Sequence, residues 1–251
     1  MLVAGDETPA ALTRILVLKE EQQSFVFENI AHRPVPSLLR NFSAPVKLVY
    51  DYTTTELAVL MKHDPDAFVR WEAAQLLAQR EIMRNRQRRE NGEGMQLGPE
   101  LTSAFEVLLG DRTSDQALLA EAMILPGEDY LADQMQVIDV EGIHASRRFV
   151  KRELAARFST QFEALYRALN LGHPYDLSAA AIAGRSLKNL CLSYLVELGT
   201  GVNLALQQLS DSDNMTDTLA ALRCLVQSGV AQAQAELERF GKKWEQDTLV
   251  M

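Results

Sequence analysis

Two patterns of apolar and polar positions divide this chain. The first fifty residues alternate with a period of two, in Thr13-Arg14-Ile15-Leu16-Val17-Leu18, Ser24-Phe25-Val26-Phe27-Glu28-Asn29-Ile30 and Val46-Lys47-Leu48-Val49-Tyr50-Asp51-Tyr52. Side chains on a strand point to opposite faces in turn, so each run reads as a strand, with Phe25 and Phe27 on one face and Val46, Leu48, Tyr50 and Tyr52 on another. Pro34, Pro36 and Pro45 interrupt the ladder between the last two runs, because proline has no amide hydrogen to donate. Three strands leave open edges, so residues 1–52 are expected to form part of a β-sandwich.

From Thr53 onward the period lengthens to that of a helix. Thr53-Thr54-Thr55-Glu56 has capping-box spacing ahead of Leu57, Leu60 and Met61. Asp64-Pro65 is the expected start of a second helix carrying Phe68, Trp71, Ala74 and Leu77 to about Arg89, closed by Gly92 and Gly94. Gly98-Pro99 and Ser114 open two more, the second ending before Pro126. One long helix is predicted over 139–169, and its neighbour has a clean apolar stripe in Leu187, Leu190, Cys191, Tyr194, Leu195 and Leu198. Asn214 caps a further helix through Leu219, Leu222 and Leu225, and Gly229 separates it from a last one ending near Trp244. Short connections imply antiparallel neighbours. The fold class is therefore mainly α: a partial β-sandwich over 1–52, then an α-helical, helical-repeat-like domain over 53–251, without a fixed repeat period.

Composition narrows the partners. With 47% apolar residues in 251, the chain can fill a core. Its 25 Lys+Arg against 34 Asp+Glu give a net charge of −9, which opposes phosphate backbones and anionic lipid, so neither nucleic acid nor membrane is an expected partner. The opening Met-Leu-Val-Ala-Gly-Asp-Glu-Thr-Pro lacks the basic start and apolar run of a secretory signal, and no stretch reaches the roughly 18 apolar residues of a span. A soluble, cytoplasmic protein is expected, with Cys191 and Cys224 as reduced core thiols.

Candidate chemistry is sparse. The four histidines read His32-Arg33, His63-Asp64, His144-Ala145 and His173-Pro174, so neither an i,i+4 pair nor a His-Glu-x-x-His zinc motif can be written. The arginines at 80, 84, 86, 88 and 89 occupy a helix end, where cations suit the dipole and Glu81 and Glu90 interrupt them. No Gly-x-Ser-x-Gly elbow or phosphate loop is present. No residue is assigned as catalytic, cofactor-binding or metal-binding.

Several segments nonetheless match a known family in order. They are Gln23–Asn29, Pro34-Val35-Pro36-Ser37-Leu38-Leu39, Phe42-Ser43-Ala44-Pro45-Val46, Arg70-Trp71-Glu72-Ala73-Ala74-Gln75, Asp213-Asn214-Met215-Thr216-Asp217 through Leu222, and Lys243-Trp244. As a set they resemble the bacterial aminopeptidase N family, the alanyl aminopeptidases among the gluzincin zinc metallopeptidases. The resemblance implies a parent hydrolase of peptide catabolism that removes N-terminal residues, with broad preference including Ala and basic residues. It places the zinc, its Glu base and the Gly-x-Met-Glu-Asn substrate segment in a catalytic domain outside this chain. On that expectation the chain is an inactive sandwich-to-cap segment, truncated at its C-terminus. Its partners are the parent's catalytic domain and, through it, peptides. The rival reading is a free-standing α-helical-repeat interaction module, supported by fold analogy alone.

Overall fold

The computed structural model describes residues 2–3, 13–170 and 174–250, and the chain divides into two compact units, residues 1–37 and 38–251. The opening residues read as lacking a signal lie mostly outside the described residues, as does His173. In the first unit, β1 (Leu2–Val3) pairs antiparallel with β2 (Phe27–Glu28), Leu2 opposite Glu28. Of the three expected strands, only the middle one forms a ladder among the described residues. Thr13–Leu18 runs as irregular chain, as does Val46–Tyr52 in the second unit. A strand needs a neighbour for its N–H and C=O groups, and here Ile15 and Val49 are 90% and 88% exposed instead.

The second unit is helical. α1 (Thr54–His63) carries the expected capping box: the Glu56 amide donates to Thr53 Oγ1 at 3.2 Å and the Thr53 amide to Glu56 Oε2 at 2.8 Å. α2 (Ala67–Glu90) begins two residues later than predicted. Asp66 caps it by accepting from the Val69 amide at 2.9 Å, while Asp64 accepts from the Asp66 amide at 2.8 Å and closes the corner. Two acidic residues flank the proline, and only the second stands three residues before a free helical amide. α3 (Pro99–Gly110) starts at Gly98-Pro99 as expected, whereas Asp115, not Ser114, caps α4 (Gln116–Met123).

The segment predicted as one helix over 139–169 is two, α6 (Val140–Arg157) and α7 (Ser159–Leu169), broken where Phe158 adopts φ −112° and ψ 21°. The apolar spacing runs straight through the break, because Phe158, Phe162 and Tyr166 are all buried; tertiary packing turns the chain there. α8 (Ala179–Glu197), α10 (Met215–Ser228) and α11 (Ala233–Trp244) follow the sequence pattern, and Gly229 takes the left-handed φ of 68° that closes α10. The short α5 (Glu128–Ala132) and α9 (Val202–Asp211) were not anticipated.

Neighbours in sequence pair as α1 with α2, α7 with α8 and α9 with α10, while α2 packs on α6, α6 on α8, and α8 on α10. A helix with neighbours on two sides must be apolar on two faces, and α8 is, burying Leu187, Leu190, Cys191, Leu192, Tyr194, Leu195 and Val196. Its Tyr194 stacks on Phe162 of α7, with centroids 4.5 Å apart and planes within 7°, and meets Phe105 of α3 edge-on at 6.1 Å. Its hydroxyl donates to the Met123 carbonyl at 2.8 Å, joining α3, α4, α7 and α8 at one side chain.

Candidate functional site

Four of the five arginines in the basic strip have structural partners. Arg80 donates to the Tyr52 carbonyl, Arg84 pairs with Glu81 at 2.6 Å, Arg86 with Glu90 at 3.1 Å and Asp139 at 3.4 Å, and Arg88 with Glu93 at 3.1 Å. Arg80, Arg84, Arg86 and Arg88 are thus tied to carboxylates and carbonyls, not presented as a free anion surface. Asp139 caps α6, and its carboxyl is held below the usual range by the Gly142 amide and by Arg86 and Arg89. Among the described residues, no group of three His, Cys, Asp or Glu side chains is placed to hold a metal ion. His144 pairs with Glu128 at 2.9 Å on the exposed surface. Cys191 and Cys224 are free and buried, and burial pushes the Cys191 thiol up to about 12 and that of Cys224 upward.

Two polar clusters stand inside the helical unit. At the α8–α10 junction, the Asp217 carboxylate accepts from Lys188 Nζ at 2.7 Å, Asn189 Nδ2 at 2.9 Å and Asn214 Nδ2 at 3.1 Å. Gln208 of α9 donates to Asn189 Oδ1 at 2.8 Å and to the Asp217 carbonyl at 3.0 Å, and accepts from the Tyr166 hydroxyl at 3.2 Å. Sequence reasoning identified Asn214 as the cap, which it is, accepting from the Asp217 amide at 2.9 Å. It missed that Asp217 is the buried anchor of a network that links α8, α9 and α10 directly and reaches α7 through Gln208. The available signal was Lys188, which falls on the same stripe as Leu187, Cys191 and Leu195.

The second cluster clamps the α2–α3 connection. Glu81 and Asn85 sit on the buried stripe of α2, at 6% and 0% exposure. Glu81 Oε1 accepts from the Gly98 amide at 2.8 Å, while Asn85 accepts from the Gln96 amide at 2.7 Å and donates to the Gln96 carbonyl at 3.0 Å. A Cβ on Gly98 would stand 2.8 Å from Glu81 Oε2, so glycine permits this close approach. The pinned segment forms one wall of an open cavity of about 780 Å³, with Phe149, Glu153 and Arg157 of α6 on the other side.

Comparison with known proteins assigns the two parts of the chain separately. Residues 54–251 match a family model described as a domain of unknown function with ARM repeats (DUF3458_C), and residues 2–51 match one described as an Ig-like fold (DUF3458). Aminopeptidase N of Haemophilus influenzae is 38% identical over 240 residues, covering 96% of this chain and 28% of the relative. Aminopeptidase N of Escherichia coli is 36% identical over 239 residues, covering 94% and 27%. A crystal structure of Legionella pneumophila aminopeptidase A in complex with aspartic acid superposes with a TM-score of 0.76 at 31% identity, over 90% of this chain and 28% of that one. The chain therefore spans just over a quarter of the length of the relatives it matches. An Ig-like segment followed by stacked helices, similar in sequence and in three dimensions to aminopeptidases, places the chain in the DUF3458_C family of ARM-repeat domains, as a homologue of a non-catalytic part of aminopeptidase N.

Proposed function

We propose that this chain is the sandwich-to-cap portion of a cytoplasmic zinc aminopeptidase, with residues 1–52 contributing part of a β-sandwich and residues 53–251 part of a helical cap over the active-site chamber. The observation that carries the reading is its collinear similarity to aminopeptidase N over 96% of its own length, against 28% of the relative's. A catalytic zinc needs three protein ligands and an open position, and the described residues supply no such set. On this reading, zinc and the peptide-cleaving groups belong to a partner domain of the same parent chain. The role of this part is shape: packed helices with buried, satisfied polar clusters make a wall that limits which peptides reach the catalytic centre and keeps bulk water from it.

The test uses the Haemophilus influenzae relative. Replacing its matched segment with this chain should preserve cleavage of short peptides, and the isolated chain should release no alanine from an alanyl anilide. Removing the helical segment from that enzyme should abolish discrimination between short peptides and long polypeptides. Turnover by the isolated chain, or unchanged size selectivity after the removal, would overturn the reading.

A further inference from the structure

Beside the start of α2, three aromatic rings form a row. Phe42 lies on Phe68 with centroids 3.7 Å apart, and Phe68 meets Trp71 at 5.9 Å. Phe42 and Trp71 are 69% and 37% exposed, so the row opens to solvent. The backbone that presents Phe42 is unusual. Leu39, Asn41 and Phe42 take φ values of 53°, 53° and 51°, a left-handed region that residues with side chains rarely adopt. The Asn41 amide, donating to Asp66 Oδ2 at 3.0 Å, and Arg40, facing Asp64 at 3.7 Å, hold it there. Strained backbone of this kind persists only where its surroundings over-determine it, and it clusters at functional sites such as ligand clamps.

Glu72 follows Phe68 by one helical turn, on the same face of α2. Its charge also reaches Tyr52, whose ring meets that of Tyr50 at 4.3 Å. Burial first, then Tyr50, Glu72, Asp64 and Glu56, push the Tyr52 hydroxyl up to about 12. Of these three carboxylates, Glu56 is occupied by the α1 capping box, and Asp64 by Arg40 and the Asp66 amide. Glu72 is half-buried, yet it accepts no hydrogen bond and closes no ion pair among the described residues. Burial raises its carboxyl above the ordinary range, and no cation of the described chain offsets that.

We infer that Phe42, Phe68, Trp71 and Glu72 form a binding site for a small quaternary ammonium monocation of the choline type. Aromatic faces attract a cation through the ring quadrupole, and the half-buried carboxylate supplies the compensating charge. The kind of cation follows from hydrogen-bonding capacity. One uncommitted carboxylate beside aromatic carbon would leave several donors of a guanidinium or a primary ammonium facing rings, whereas a trimethylammonium group has no donor to satisfy. Charge complementarity sets the rest. Glu72, Asp64 and Asp66 make the surroundings acidic, which disfavours zwitterions such as betaine and phosphocholine, whose anionic group would enter the same field. The inference uses residues of this chain alone and stands apart from the aminopeptidase reading.

The experiment follows the two indole N–H signals of the ¹⁵N-labelled 251-residue chain during titration with choline chloride at constant ionic strength. The Trp71 signal should shift saturably with a dissociation constant of about 1 mM, while that of Trp244, on α11, stays in place. Dimethylbutanol, the neutral isostere of choline, should bind about tenfold more weakly, as should methylguanidinium, betaine and phosphocholine. Glu72→Gln and Phe42→Leu should each weaken choline about fivefold to tenfold while the remaining amide signals keep their positions. Failure of the Trp71 signal to saturate, equal shifts at both indoles, any of the four other compounds binding as tightly as choline, or full binding by both variants would overturn the inference.

Discussion

Lys188 Nζ lies 2.7 Å from Asp217 Oδ2, and both side chains are only 7% exposed. Such a pair is a weak source of net stability, because desolvating two charges offsets most of their attraction, but removing one partner strands the other in a dry environment. Lys188→Ala or Asp217→Ala should each destabilise the helical unit by about 3–5 kcal/mol, read by urea unfolding. The double substitution Lys188→Ala with Asp217→Ala should lose markedly less than the sum of the singles. Strict additivity would show that the two residues do not act as a pair.

Tyr194 tests the aromatic centre. Tyr194→Phe keeps the stack on Phe162 but leaves the Met123 carbonyl without its donor, and should cost about 1–3 kcal/mol. Phe162→Ala opens a cavity beside the same ring and should cost about 3–5 kcal/mol. A thermal unfolding series in which Tyr194→Phe costs more than Phe162→Ala would contradict this ordering.

Acid sensitivity is expected at the α3–α4 corner. Burial works against the charged form of Asp111, but its bonds from the Ser114 hydroxyl at 2.5 Å, the Thr113 amide at 2.8 Å and the Ser114 amide at 3.0 Å hold its carboxyl far below the usual range. A carboxyl lowered in the folded state contributes stability that is fully present above its unfolded value and lost as pH falls through the folded one. Stability should therefore decline below the ordinary carboxylate range, and Asp111→Asn should be less stable at neutral pH with a flatter acid limb. Unfolding midpoints measured from pH 7 down to about pH 2 decide it. An acid limb as steep in Asp111→Asn as in the parent chain would sink the assignment.

The two thiols should be inert in the folded chain. Cys191 is fully buried, and with its thiol pushed up to about 12 almost none is thiolate at neutral pH. Iodoacetamide should leave both cysteines unlabelled under native conditions and modify both in denaturant, as read by intact mass. Rapid native labelling of Cys191 would show that the α8 core opens far more often than its packing implies.

Local features were legible in the sequence wherever a few residues suffice to make them. The Thr53–Glu56 capping box, the Gly98-Pro99 start of α3, the Asn214 cap and the left-handed Gly229 all formed as the pattern prescribes, since each depends on contacts within one turn. The buried clamp at Glu81 and Asn85 was only half legible. Both positions fall on the apolar stripe of α2, yet their charge and polarity read as surface until the 96–98 connection was seen to consume their hydrogen bonds.

By itself, then, the sequence determined the helical class, most helix starts and stops, the core stripe of α8 and the resemblance to aminopeptidase N, whereas Trp71 and Leu219, read on the apolar faces of α2 and α10, are exposed. Only the tertiary structure decided that Phe158 breaks the 139–169 helix, that the β pattern of 13–18 and 46–52 forms no ladder among the described residues, and that Asp217 joins α8, α9 and α10. The physical reason is shared: a period along the chain fixes which face of an element is apolar, whereas strand pairing, helix breaks and buried charge pairs depend on groups distant in sequence, whose positions are set only when the elements pack.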